Sequence, residues 1–136
     1  MCYQPLYKVE KKLNQEFINE VEFLGNKKIS KQIFSRLPYK INSGDKNLNK
    51  IILDSKINTI ETSRDSKGKA TSYRTSLKVN YLLLDQKNNT LDSKLFSKEF
   101  SYNSDENKFK FKEYQRKVEK SLIDGIIESI IIHLNL

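Results

Sequence analysis

Apolar residues along this chain recur at two spacings, every second position or every third to fourth, and each switch marks a structural element. Phe17, Val21 and Phe23 share one side of an alternating stretch, which predicts a strand. Gly25 and Asn26 interrupt it, and Asn26 is a residue type that caps helices. Ile29, Ile33, Phe34 and Leu37 then follow helical spacing until Pro38, which cannot continue a helix. Ser43-Gly44-Asp45 reads as a turn.

Three long alternating runs follow. Ile51, Leu53 and Ile57 lie on one face of the first, with Asp54, Lys56 and Asn58 on the other. Asp65-Ser66-Lys67-Gly68 predicts a hairpin turn. In the second run Tyr73, Leu77, Val79, Tyr81 and Leu83 face one way, and Arg74, Ser76, Lys78 and Asn80 the other. A turn over Gln86 to Asn89 leads into the third run, where Phe96, Phe100 and Tyr102 share a face. From about Phe111 the spacing returns to helical through Tyr114, Val118, Leu122, Ile126 and Ile130. Ile123, Ile127, Ile131 and Ile132 make the end of that helix apolar nearly all round.

The predicted order is β-α-β-β-β-α. A helical crossover between the first two strands makes them parallel, and hairpins make the others antiparallel. The fold class expected is α+β, with two helices packed on one face of an elongated four-stranded mixed sheet. The opposite face, carrying Lys56, Arg74, Lys78 and Asn80, should be wet. Residues 70–84 alone would extend about 50 Å at roughly 3.3 Å per residue. Residues 1–15 show no period and read as a tether, leaving 16–136 as a single domain.

Composition changes this picture in one respect. The chain carries 25 Lys and Arg against 17 Asp and Glu, a formal charge of +8, which favours anionic partners. Lysines outnumber arginines 21 to 4, however, so much of that charge is general surface and only local clusters count. Arg64, Lys67, Lys69, Arg74 and Lys78 form one excess, opposed by Asp65 alone. Lys108, Lys110 and Lys112 interleave with Phe109 and Phe111 in another. An antiparallel third strand ends beside the hairpin turn, so the loops 63–69 and 103–110 should share one pole. Phosphate binding there competes with the plainer reading of a solvated turn in a lysine-rich protein.

Enzymatic motifs are lacking. His133 is the only histidine and sits in an apolar helix, where a satisfied side chain is the expected role. Isolated glycines offer no phosphate-cradling loop, and no Cys/His cluster or carboxylate spacing points to zinc or calcium. The expectation is a protein that is not an enzyme and has no metal or cofactor. Cys2, the only cysteine, stands directly after Met1, without a disulfide partner. A cysteine at the mature N-terminus is the residue bacterial lipoproteins acylate; the alternative is a cytosolic chain whose second residue happens to be cysteine.

Three stretches carry a resemblance to a known family: Cys2-Tyr3-Gln4-Pro5-Leu6-Tyr7, Gly68-Lys69-Ala70-Thr71-Ser72-Tyr73-Arg74 and Phe96-Ser97-Lys98-Glu99-Phe100-Ser101-Tyr102-Asn103. With them the chain resembles the lipopolysaccharide-assembly lipoprotein family LptE. The resemblance implies an outer-membrane lipoprotein facing the periplasm, anchored through acylated Cys2 and unconnected with nucleic acid. It implies a place inside the β-barrel of an LptD partner, assistance in assembling that barrel, and contact with lipopolysaccharide. Lipopolysaccharide phosphates are then the expected anions at Arg64, Lys67, Lys69, Lys108 and Lys110. The rival from another class is a double-stranded-RNA-binding module, whose α-β-β-β-α order matches residues 28–134.

Overall fold

The computed structural model describes residues 17–135, so the expected tether lies outside the described residues. The elements are β1 (Phe17–Ile18), β2 (Glu20–Gly25), α1 (Lys27–Ser35), β3 (Lys40–Ile41), β4 (Lys50–Arg64), β5 (Ala70–Leu84), β6 (Thr90–Asn103) and α2 (Lys108–Leu134). The main sheet has the order β2-β4-β5-β6, with β2 parallel to β4 and the two later pairs antiparallel. Both helices lie on one face, as the alternation predicts. Ile51, Leu53, Leu77, Val79 and Tyr81 of the sheet meet Ile29 and Ile33 of α1 and Val118, Leu122, Ile126 and Ile130 of α2. On the other face Lys56, Lys78 and Asn80 are exposed.

Strand direction decides how the helices lie. β2 and β6 point the same way through the ladder, so the helices that follow them return along the sheet in a common direction. α1 begins with a close approach. Gly25 has φ +66°, and a Cβ there would stand 2.3 Å from the Ser55 carbonyl oxygen. That carbonyl accepts the Asn26 N–H at 2.7 Å, while the Asn26 side chain accepts the Ile29 N–H at 3.2 Å. Ser30 is fully buried, hydrogen-bonded to Ser55 Oγ at 2.8 Å and donating to the Leu53 carbonyl at 3.2 Å. Small hydroxyls and a missing side chain thus let α1 settle directly on β4.

The structure departs from the alternation in three places. The first predicted strand is broken at Asn19, whose N–H donates to the Asn49 carbonyl and whose side-chain amide donates to that of Asp45 at 2.9 Å. Before the break β1 pairs in parallel with β3 instead, and the phase shifts so that Ile18 is buried and Phe17 exposed. Phe100 shares a face with Phe96 and Tyr102 but is about half exposed, because α2 leans over Tyr73 and Tyr102 and leaves the edge strand's rim open. The last helix starts at Lys108, ahead of Phe111, because the Asn107 side chain accepts the Lys110 N–H at 3.1 Å and caps it.

At the end where α2 stops, His133 Nε2 lies 2.7 Å from Asp92 Oδ2 and fastens the helix to the start of β6. Tyr81 packs edge-on to His133, and its hydroxyl is hydrogen-bonded to that of Tyr39 at 3.3 Å. Burial raises the pKa of both tyrosines.

Replacing Gly25 with Ala should destabilise the fold by about 1–3 kcal/mol, read by chemical denaturation, since the left-handed backbone and the Ser55 carbonyl both oppose a Cβ. Alkaline pH should weaken it as well. Tyr39 and Tyr81 stay protonated in the folded chain while their unfolded forms ionise near pH 10. Their stabilising contribution is whole below pH 10 and is lost as pH rises above it, so Tyr81→Phe should flatten the fall in stability between about pH 9.5 and 11.5.

Candidate functional site

The β4–β5 hairpin ends in a turn built around Asp65. Its Oδ1 accepts the backbone N–H groups of Lys67 and Lys69, each at 2.9 Å, and Gly68 supplies the positive φ of +79°. Ser104 donates its N–H to the Thr71 carbonyl at 2.9 Å, tying the exit of β6 to the root of the hairpin. Asn107 then starts α2, so Lys108 and Lys110 occupy its first turn at that same end of the slab. The two basic stretches therefore share one end of the slab, as expected, but Lys108 and Lys110 stand on the helix and not in a loop.

The convergence is a string of charges. Ser72 pairs with Asn103, so the hairpin continues past the end of β6 by the Arg64–Ala70 pair and the turn that carries Lys67 and Lys69. Arg64 is ion-paired to Glu61, three residues earlier on the same strand, whereas Lys67, Lys69, Lys108 and Lys110 form no ion pair among the described residues. No acidic residue sits in the first turn of α2, so its unsatisfied N–H groups add to the positive potential.

Apolar surface lies beside these charges. Phe109 is 70% exposed, and Phe100 and Tyr114 are a little under half exposed. A cleft of about 470 Å³ runs between Asn103 to Asp105 and the α2 residues Lys110, Phe111, Tyr114 and Lys117. Asp105 and Glu113 temper its charge. Tyr114 and Lys117 were not among the expected site residues; helical spacing assigned Tyr114 to the core, and only the tilt of α2 brings it out. Behind the cleft, Thr59, Thr75 and Tyr102 are linked hydroxyl to hydroxyl at 2.8 Å each, and Gln115 donates to the Tyr102 oxygen at 3.2 Å.

Cys2 lies outside the described residues. Among the described residues there is no group of three or more His, Cys, Asp or Glu side chains able to hold a metal ion, and no helix long and apolar enough to cross a membrane. His133, expected to be satisfied, has Asp92 as its partner.

No protein-family model matches the chain, and no curated protein sequence does either. Solved structures do. Rare lipoprotein B from Shewanella oneidensis superposes with a TM-score of 0.65 at 12% identity, over 86% of this chain and 94% of that one. A minor lipoprotein from Acinetobacter baumannii gives 0.63 at 13% identity, over 85% and 87%. Lipoprotein B from Nitrosomonas europaea gives 0.57 at 13% identity, over 85% and 83%. At such identities the likeness is one of architecture: this chain has the fold of these bacterial lipoproteins.

Proposed function

We propose that the chain is a non-enzymatic lipoprotein of the LptE kind, anchored in the outer membrane through Cys2, which docks with an LptD-like barrel and receives lipopolysaccharide at its basic pole. The observation that carries this reading is the pole itself, where cations of the hairpin turn and of the first turn of α2 share one end of the slab with exposed Phe100, Phe109 and Tyr114. Such a surface suits an amphiphile that is phosphorylated and acylated at the same end. A fold shared with bacterial lipoproteins supports the choice over the RNA-binding rival, as do strands of 14 and 15 residues, long for a small nucleic-acid module.

In this reading each part of the slab has a task. Acylated Cys2 holds the domain at the membrane, and residues 1–15 give it reach. Lys69, Lys108 and Lys110 draw lipid phosphates to the pole, where the exposed aromatics cover the first methylenes of the acyl chains. The wet sheet face, with Lys56 set directly opposite Lys78, faces a polar barrel wall.

Lipopolysaccharide binding, measured by surface capture or fluorescence, should fall by about tenfold or more when Lys69 and Lys110 are both changed to Glu, with the fold intact, because exposed charges contribute little to stability. Glu61→Gln should strengthen binding, since it releases Arg64 to grip phosphate through two hydrogen bonds. Undiminished binding by the folded double variant would reduce the pole to a solvated end of the sheet. The anchor is tested separately: mass spectrometry of protein from native membranes should find an acylated Cys2 in a complex with a large barrel. An unmodified thiol in a soluble fraction would remove the anchoring step.

A further inference from the structure

The parallel course of the two helices makes a groove of about 420 Å³ between them. Arg36 of α1 and Asp124 of α2 close it at one end with an ion pair, and that contact fixes the helices' relative register. Counting back equally along both helices, Gln32 comes level with Lys120, and Lys28 with Arg116, and all of these line the groove. The chain has only four arginines against 21 lysines, yet two of the four are here. Arg36 is occupied by Asp124; among the described residues Lys28, Arg116 and Lys120 form no ion pair.

Arg116 and Lys120 also belong to a row. Lys108, Lys112, Arg116 and Lys120 recur at every fourth position of α2, so they are neighbours on its surface and repel one another. The row begins at Lys108 in the first turn of the helix, where the macrodipole disfavours a cation. Carboxylates enter the same row only at Asp124 and Glu128, beyond the repelling stretch. Glu113 and Glu119, three residues either side of Arg116, offset part of this charge and leave a net excess of cations along the groove. An external anion would offset the remainder.

We propose that the groove between α1 and α2 binds an acidic segment of a protein partner, with its carboxylates laid along Arg116, Lys120 and Lys28. Four helical residues rise about 6 Å, close to the roughly 6.6 Å between alternate side chains of an extended strand. A guanidinium takes a carboxylate through two parallel hydrogen bonds, and Gln32 offers an amide to the segment's backbone. A lipid is a poorer occupant: Ile123 on the groove wall is buried, and none of the large exposed apolar side chains lies there, so acyl chains have no berth. Glu119 also lines the groove and disfavours densely charged phosphates more than it does a peptide. The surface is separate from the pole and takes a different ligand, so it stands or falls independently of lipopolysaccharide binding.

The test is calorimetric titration of the full chain with a short peptide of alternating glutamate and serine at physiological salt. Saturable binding is expected, weakened about tenfold or more by Arg116→Glu with Lys120→Glu and untouched by Lys69→Glu with Lys110→Glu. Circular dichroism should show the groove variant folded, because exposed charges contribute little to stability. Failure of the peptide to bind, or equal binding by the groove variant, would overturn the proposal. So would duplex RNA or phosphatidylglycerol vesicles that depend on Arg116 and Lys120 more strongly than the peptide does.

Discussion

The pairing of β4 with β5 is the interaction on which the rest of this structure depends. The two strands stay in register from Lys50 and Leu84 to Arg64 and Ala70, nearly their whole length, with irregularity only after Glu61. Backbone hydrogen bonds along that ladder create an arm that neither β2 nor the helices can cover completely. β2 accompanies β4 only as far as Ser55, and β6 leaves β5 at Ser72. What lies beyond must be stable while wet, and its side chains show it: Thr62 and Ser63 on one strand are hydrogen-bonded to Thr71 and Ser72 on the other. The length that sets the basic hairpin apart from the core therefore comes from backbone pairing and hydroxyl contacts more than from apolar burial.

The boundary between core and arm is drawn by chemistry. From Ile51 to Val79 the helix side of the sheet is closed and apolar apart from Ser55, which is hydrogen-bonded to Ser30. At Thr59, Thr75 and Tyr102 it becomes a chain of hydroxyls that Gln115 extends on to α2. Each hydroxyl has a partner, so no desolvation penalty is left uncompensated there. The Phe111 ring tilts against Tyr73 and Tyr102 just beyond, anchoring the start of α2 above the arm. That anchorage brings the first turn of the helix, with its lysines and open aromatics, to the pole.

The long strands were legible because alternation sustained over 14 or 15 residues leaves little room for another period. The convergence of the basic stretches was legible too, since it follows from strand order and direction. Phe17 misled because one residue, Asn19, spends its backbone N–H and its amide on neighbouring loops and resets the phase of the strand. The start of α2 misled because Lys108-Phe109-Lys110-Phe111 alternates like a strand, and only the Asn107 cap reveals a helix. The Glu61–Arg64 pair and the inter-helix groove were out of reach for a deeper reason. Both depend on which side chains come level across a gap, and spacing within one element carries no such information.

The arginines sharpen the difference between charge that belongs to the fold and charge that faces outward. Arg36 holds Asp124 and latches the two helices; Arg64 holds Glu61 along a strand. Those two are internally committed, and a bidentate group used this way fixes geometry as much as it neutralises charge. Arg74 is set between Ile60 and Ser101 on the open sheet face. Arg116 shares the inter-helix groove with Arg36 but, among the described residues, has no ion-pair partner, and it stands in a row of cations. A lysine-rich background explains many exposed cations on this surface, but not an arginine in that position. The bulk charge of +8 steers anions towards the whole slab, whereas the few residues whose local setting is unfavourable mark where an anion is expected to stay.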